Sequence, residues 1–139
     1  MIEYAFQTDF QLTHPDVHSA WLKEVALSEG CEIDGLQYVF VSDDELYEMN
    51  AKYLNHNTLT DIITFDYSEN RTLNGDLFIS IDRVRDNAVT FNASFDLELR
   101  RVMVHGLLHL AGYGDKSPED EQLMRRKEDE KLKMFHVEQ

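Results

Sequence analysis

The sequence contains a single cysteine and only two prolines among its 139 residues. One cysteine excludes an internal disulfide and a cysteine-rich metal cluster, and it is typical of a reducing compartment. Cys31 itself is expected to be a small buried hydrophobic side chain. The chain also lacks internal repeats, low-complexity stretches and a Pro/Gly-rich linker. At this length we expect one domain that spans residues 1–139.

Long apolar runs are missing as well. No segment reaches the roughly 20 apolar residues that a membrane-spanning helix needs. The first residues, MIEYAFQTDF, have neither the basic start nor the apolar stretch of a signal peptide. These absences predict a cytoplasmic protein without a membrane partner.

Basic residues are scarce, since 13 Lys and Arg face 27 Asp and Glu and the net charge is −14. Within residues 1–70 the only bases are Lys23 and Lys52. This balance is unfavourable for binding a polyanion, and no DNA partner is expected. The bases of the second half occur in clusters: Arg83 and Arg85, Arg100 and Arg101, and Arg125, Arg126 and Lys127. Each cluster alone is typical of a solvated helix face, although a local basic strip is compatible with the pattern.

Hydrophobic periodicity predicts elements in the order β-α-β-α-β-β-α-α-α. Strands are expected at 2–6, 37–41, 61–67 and 75–81, and helices at 15–28, 42–54, 82–91, 94–111 and 118–134. This order indicates a small α+β domain in which helices pack on a roughly four-stranded mixed sheet. The helix at 94–111 is apolar on nearly every face in its second half, so it is expected in the middle of the domain. The charged last helix is expected to cover the outside, and His14, His18 and His136 are expected at the surface.

The segment HGLLHLAGYGD, residues 105–115, carries the most informative motif. His105 and His109 are four residues apart, so on a helix they rise from the same face. Gly112 stands where the helix must end, and Gly114 gives a second flexible point, so the chain can turn back and present Asp115. Two histidines, one carboxylate and one open position form the usual catalytic zinc site, here on a central helix.

The ordinary alternative is a pair of core histidines bonded to backbone carbonyls. Histidines at this spacing occur by chance, and a glycine often does no more than end a helix. However, two imidazoles in the most apolar helix are costly unless satisfied, and a carboxylate follows at a suitable offset. We therefore favour a metal site formed by His105, His109 and Asp115.

The spacing H-x3-H-x2-G-x2-D is that of the metzincin zinc peptidases. Such peptidases carry a glutamate directly after the first histidine, where it acts as general base. Here that position is Gly106. The metal frame without the base argues against proteolysis, and a minimal zinc peptidase is the weakest of the alternatives.

A family resemblance extends from about residue 36 to residue 130. The segment RRVMVHGLLHLAGYGD resembles the signature of the YbeY-like metal-dependent endoribonucleases, also called ribosomal-RNA maturation factors. Other pieces match the family's motifs in the same order: Met49-Asn50 with Tyr53, residues 60–65 (TDIITF), residues 75–80 (GDLFIS), and Phe95, Leu99 and Arg101. Collinear matches of this kind are much more specific than any one motif.

The resemblance implies a fold, a cofactor and a substrate. The fold would be a compact α+β domain around a four-stranded sheet. One zinc ion per chain would be held by the helix-borne histidines and a third ligand. The implied activity is cleavage of single-stranded RNA, in maturation of the small-subunit ribosomal RNA end and in ribosome quality control. The implied partners are ribosomal RNA and proteins of the small ribosomal subunit.

Two positions depart from the family pattern. The usual third ligand is histidine, and the matching residue is Asp115. Aspartate binds zinc at about 2.0–2.2 Å, but its charge makes the metal a weaker Lewis acid and makes other divalent ions more plausible. The family's usual arginine after the tyrosine of its "LN…Y" motif is replaced by Leu54. Either RNA cleavage is weakened, or RNA is held by other arginines: Arg83, Arg85, Arg100, Arg101, Arg125 and Arg126.

The expected mechanism uses a zinc-bound water, whose pKa falls to about 7, so that hydroxide attacks a phosphodiester. No residue is an obvious separate general base. Asp61 and Asp76 are candidates for supporting the site, although a polar residue at the end of a buried strand is an equally good interpretation. His56 is a candidate for contacting substrate, and a solvated loop histidine is its ordinary alternative. Tyr113 would either stack on a base or pack at the helix end.

A binding module is the main competing hypothesis. In that case the protein would be a non-catalytic ribosome-assembly factor with a structural metal. The acidic first half of the chain fits a basic protein partner, and the absence of arginine at Leu54 is consistent with it.

Overall fold

The computed structural model describes residues 1–53 and 60–136, and within them the elements follow the predicted order. The strands are β1 (Ile2–Phe6), β2 (Glu32–Val41), β3 (Ile62–Asp66) and β4 (Thr72–Ser80). The helices are α1 (Pro15–Ser28), α2 (Asp43–Tyr53), α3 (Ile81–Thr90), α4 (Phe95–Leu110) and α5 (Pro118–Leu132). The predicted α+β class is therefore confirmed.

The four strands form one mixed sheet in the order β1-β2-β4-β3. β2 lies in the centre, parallel to β1 from Ile2↔Leu36 onward and parallel to β4 from Glu32↔Thr72 onward. β3 pairs with β4 in antiparallel orientation, with Ile62 opposite Ile79. The parallel pairs require crossover connections, and α1 supplies one between β1 and β2.

Two strands begin earlier than the sequence predicts. β2 starts at Glu32 rather than at Gln37, and β4 starts at Thr72 rather than at Gly75. These extensions pair with each other, and a register irregularity lies between Ile33 and Gly35. Their polar and glycine residues give no strand pattern by themselves, so the pairing across the sheet imposes the extended conformation.

Serine side chains define the starts of four helices. The hydroxyls of Ser42, Ser80, Ser94 and Ser117 each accept a hydrogen bond from the backbone N–H three residues further on, at 3.1–3.2 Å. Each bond satisfies one of the free donors at a helix start. Ser94 and Ser117 thereby fix the beginnings of α4 and α5, the two helices that build the site described below.

α4 packs in the middle of the domain, as predicted. Its residues Met103, Val104 and Leu107 are fully buried, and it contacts β3 and β4 as well as α1, α3 and α5. α2 covers the other face of the sheet, where Leu46 joins a smaller cluster with Val39, Val41 and Ile63. In the part of the chain that the structure describes, no helix combines the length and apolar character needed to cross a membrane.

α1 and α5 pack against each other, and here two expectations were wrong. The charged helix α5 does not only cover the outside, because Met124, Glu128 and Lys131 on one of its faces are buried. His18 of α1 is buried rather than exposed, since its ring packs on Phe135 with the ring centroids 5.0 Å apart. His18, Glu128 and Lys131 are polar, so the sequence alone places them at the surface. Only the packing between the α1 and α5 regions, which are distant in sequence, shows that they are buried.

Candidate metal centre

The two histidines of α4 face each other on one side of the helix. The Nε2 atoms of His105 and His109 are 3.0 Å apart, and the ring planes are nearly perpendicular. Both side chains are about one-quarter exposed. α4 is otherwise buried along much of its length, so it holds the two rings on a rigid backbone.

The turn after α4 brings a carboxylate to the same point. Gly112 adopts a φ of 110°, which is readily accessible only to glycine, and its N–H donates to the carbonyl of His109 at 3.0 Å. The chain then reverses toward α4. Asp115 Oδ2 lies 3.3 Å from His109 Nε2 and 3.7 Å from His105 Nε2. The structure thus brings together the three residues that the sequence predicts as ligands.

Hydrogen bonds on the far side of each ring fix which nitrogen faces the site. The Nδ1–H of His109 donates to the carbonyl of Tyr113 at 2.8 Å, and the Nδ1–H of His105 donates to a carboxylate oxygen of Glu128 at 2.6 Å. A carbonyl only accepts, so in the neutral His109 ring Nε2 carries a lone pair. The carboxylate of Glu128 orients His105 in the same way. This is the arrangement that metal-bound histidines usually show.

The donor set fits a divalent cation. Nε2 of His105, Nε2 of His109 and a carboxylate oxygen of Asp115 all lie within 4.8 Å of one another. Ligands at 2.0–2.2 Å around a tetrahedral ion are roughly 3.3 Å apart, which agrees with the observed separations. Three such groups that face one point are held together by a positive charge between them, which a metal ion or a proton on one ring supplies. Ordinary core histidines bonded to backbone carbonyls explain the Tyr113 contact but not the position of Asp115.

Glu128 is the most important residue that the sequence analysis missed. It is 5% exposed, and Arg101 Nη1 donates to its second oxygen at 2.8 Å. Burial alone would raise the pKa of Glu128, but the hydrogen bonds from His105 and Arg101 outweigh burial and lower the pKa. Burial would likewise lower the pKa of His105, but the Glu128 carboxylate outweighs it and raises the pKa. A signal was present, because Met124, Glu128 and Lys131 have the spacing of one helix face.

A second buried network lies behind Tyr113. The Tyr113 hydroxyl donates to Glu29 Oε1 at 2.5 Å, and Glu29 also forms ion pairs with Lys131 at 2.7 Å and with Lys127 at 3.3 Å. Lys131 is 1% exposed. Tyr113 is therefore held at both ends, by Glu29 at its hydroxyl and by His109 at its carbonyl. The hydroxyl is used in packing, which is one of the two roles that the sequence allowed.

A cleft of about 380 Å³ opens beside His105. Of the predicted residues outside the ligand set, Asp61, Arg101 and Arg125 line this cleft. The other lining residues are Asn87, Phe91, Glu98, Val102, His105, Asp115 and Glu128. Burial raises the pKa of Asp61, although the nearby His105 charge partly opposes this. The site is therefore open to a substrate on the side where Asp115 is exposed.

The remaining predicted residues lie elsewhere. Asp76 accepts a hydrogen bond from the Tyr67 hydroxyl at 3.3 Å and projects from the face of the sheet opposite to α4, so the structure does not bring it to the metal centre. Arg83 is paired with Asp43, and Arg85 lies near Asp82.

Arg100 and Arg126 do not line the cleft. Arg100 stacks over Phe135, and its Nε is buried without a hydrogen-bond partner among the described residues. Arg126 is exposed on α5. His56 and Leu54 lie outside the described residues.

Gly106 explains why the peptidase base is absent. A Cβ at this position would lie 2.4 Å from Leu77 Cδ2 and 2.8 Å from Ile62 Cδ1. α4 approaches the sheet so closely here that a side chain would have to displace the buried Leu77 and the partly buried Ile62. A glutamate at this point of the helix would face the sheet core rather than the cleft, so the frame does not support the peptidase arrangement.

Fold and site together define a protein with a candidate divalent-cation site on one helix and the turn after it. Comparison with known proteins agrees. The sequence profile of the family described as "Endoribonuclease YbeY" matches residues 4–136. A protein of that name from Flavobacterium johnsoniae is 50% identical over 139 residues, covering 100% of both chains. Another from Bacteroides thetaiotaomicron is 47% identical over 114 residues, covering 82% of this chain and 83% of the relative.

A solved structure supports the fold. The solution structure of a protein from Thermotoga maritima matches with a TM-score of 0.69 and 26% identity, covering 97% of this chain and 89% of that protein. The chain belongs to the endoribonuclease YbeY family. The family resemblance in the sequence is thereby confirmed, and so is the prediction that the protein is an enzyme of the hydrolase class, a nuclease.

Proposed function

We propose that the protein is a zinc-dependent endoribonuclease that cuts single-stranded RNA, in maturation of the small-subunit ribosomal RNA end and in ribosome quality control. The observation that carries the proposal is the convergence of His105, His109 and Asp115 beside an open cleft. The relatives are named endoribonucleases, which supports RNA as the substrate.

His105, His109 and Asp115 would hold one ion. When bound, a zinc ion supplies a Lewis acid that neutralises phosphate charge and lowers the pKa of water. The protein contributes the orientation of the ligands: Glu128 fixes the His105 ring, and the Tyr113 carbonyl fixes the His109 ring. Because Asp115 adds negative charge where the family pattern has histidine, manganese or another hard divalent ion is the alternative to zinc.

Asp61 is the better of the two aspartates for a supporting role, because it lines the cleft and Asp76 does not. Its raised pKa, caused by burial, places its protonation closer to neutral pH than that of an ordinary aspartate. Asp61 would hold or accept a proton at the edge of the cleft near His105. The arginines that line the cleft, Arg101 and Arg125, are placed to meet a phosphate, although both also contact Glu128.

Ribosomal RNA and proteins of the small subunit are the partners that this function requires, and a cytoplasmic location follows from them. The competing function, a non-catalytic assembly factor with a structural metal, has one observation in its favour. The cleft is lined by four carboxylates and only two guanidiniums, which is weak attraction for RNA.

Cleavage of a small-subunit ribosomal RNA precursor fragment by zinc-loaded protein tests the proposal. We expect cleavage by the wild type and none by His109→Ala, because that variant loses a ligand. His136→Ala, which changes an exposed histidine away from the cleft, is the control and should cleave normally. Metal content is measured in parallel. Wild-type protein that binds zinc one to one but does not cleave would favour the assembly factor instead.

A further inference from the structure

Phe91 is a large apolar side chain that the fold leaves at the mouth of the cleft. It follows the last residue of α3, and its N–H donates to the carbonyl of Asn87 at 2.9 Å, so its backbone is fixed. The side chain is 57% exposed. It lines the same cleft as His105 and Asp61. An exposed aromatic side chain on a hydrogen-bonded backbone therefore lies at the edge of the candidate active site.

One cationic side chain lies over this ring. The guanidinium carbon of Arg125 is 6.0 Å from the ring centroid of Phe91, at the outer limit of a cation–π contact. Arg125 comes from α5 and Phe91 from the end of α3, so the pair spans the cleft between two elements. More than half of Phe91 nevertheless remains uncovered. The pair therefore offers an aromatic face beside a positive charge, which is the combination that single-stranded RNA-binding surfaces use.

The charges of the cleft show why a non-ionic contact is needed. Its carboxylates outnumber its guanidiniums, and Arg101 is already paired with Glu128 at 2.8 Å and with Asp129 at 2.6 Å. Attraction for phosphates is therefore weaker here than in a basic groove. Stacking on an aromatic ring does not depend on net charge, since every base has a π face.

We infer that Phe91, together with Arg125, is a stacking platform for an unpaired nucleobase of the substrate, next to the metal centre. This inference rests on the proposed function, because it assigns a subsite to the same RNA. A base in a duplex is already stacked and paired, and it cannot lie on Phe91 without being pulled out. The platform therefore also contributes to the selection of single-stranded over double-stranded RNA.

The test compares Phe91→Ala with two matched variants. Phe91→Trp keeps an aromatic face, and Val89→Ala removes an even more exposed apolar side chain, 83% exposed, two residues away and outside the cleft. Binding of a single-stranded oligoribonucleotide that contains 2-aminopurine is measured by fluorescence, and KM and kcat are measured with the same RNA. We expect Phe91→Ala to raise Kd and KM about tenfold with kcat little changed. Phe91→Trp and Val89→Ala should resemble the wild type.

The binding and cleavage measurements distinguish failure of the platform from failure of the function. If the wild type cleaves and Phe91→Ala has the same Kd and KM, the platform is refuted and the nuclease function stands. If Val89→Ala weakens binding as much as Phe91→Ala, the contact is general apolar adhesion and the inference is wrong. If the wild type does not cleave but quenching of 2-aminopurine is lost only in Phe91→Ala, the platform holds and the proposed function fails.

Discussion

Asp115 differs from the two histidine ligands in exposure as well as in charge. Its side chain is 46% exposed, against 24% and 27% for His105 and His109. It lies on a turn rather than on a helix, so its position depends on Gly112 and on the start of α5. At the scale of single residues it is therefore the candidate ligand most open to replacement.

Loss of a residue that only orients a metal ligand lowers metal affinity about 10- to 100-fold. We expect Asp115→Ala to weaken zinc binding by more than this, because the variant removes a direct ligand. Asp115→His should retain the ion, since histidine supplies a nitrogen at a similar distance. Competition titration with a chromophoric chelator measures both. Zinc binding of wild-type strength in Asp115→Ala would mean that the third ligand lies elsewhere.

Glu128 contacts the candidate metal centre through His105. In Glu128→Gln the shape is kept, but the negative charge that faces His105 and Arg101 is lost. We expect zinc affinity to fall about 10- to 100-fold while the fold is retained. Glu119→Gln, on an exposed position of the same helix, is the matched control and should bind zinc like the wild type. Equal affinities in the two variants would show that Glu128 does not position the ligand.

At the scale of elements, the contact between α4 and the sheet depends on the missing side chain of Gly106. Alanine is a better helix former than glycine by about 1 kcal/mol, but its Cβ would overlap Leu77 and Ile62. Overpacking of this kind costs about 1–3 kcal/mol, so we expect Gly106→Ala to lower the free energy of unfolding. Gly114→Ala, whose Cβ would meet the Asp120 carboxyl group, with Oδ2 at 3.4 Å, should show no such loss. Urea unfolding of the metal-free proteins compares them.

The elements also show what a sequence can predict. The order of strands and helices followed from periodicity, and the proximity of His105, His109 and Asp115 followed from the spacing in α4 and its terminal glycine. The early starts of β2 and β4 could not be predicted from periodicity, because Glu32 and Thr72 belong to strands only through their pairing with each other. Glu128 was missed for a similar reason. The spacing of Met124, Glu128 and Lys131 marks one helix face, but it does not show that the partner of Glu128 is a histidine 23 positions away in the sequence.

At the scale of the whole molecule, Glu29 connects the end of α1 to the turn that carries Asp115 and to α5. It does so through Tyr113, Lys127 and Lys131. Burial would raise the pKa of Glu29, but the hydrogen bonds from Lys131 and Tyr113 outweigh burial and lower the pKa below its ordinary value of about 4.5. A carboxyl group whose pKa is lowered in the folded state stabilises the fold at pH values above its ordinary pKa. This stabilisation is lost as the pH falls through the pKa of the folded state.

We therefore expect Glu29→Gln to be less stable than the wild type between about pH 5 and pH 7, and the difference to shrink as the pH falls below about 4.5. Thermal or urea unfolding of the metal-free proteins across this range measures it. Glu24→Gln, an exposed position of α1, should follow the wild type throughout. A difference that stays constant down to pH 3 would show that the ion pairs of Glu29 do not stabilise the fold.

The order of the parts along the chain has a consequence for biosynthesis. All four strands precede Ile81, whereas the ligands lie between His105 and Asp115 and their support comes from Glu128. Synthesis proceeds from the N-terminus, so the sheet is complete before the metal centre can form. A nascent chain thus contains every described strand before the residues proposed to bind the metal, and Glu128, which orients His105, is synthesised after them.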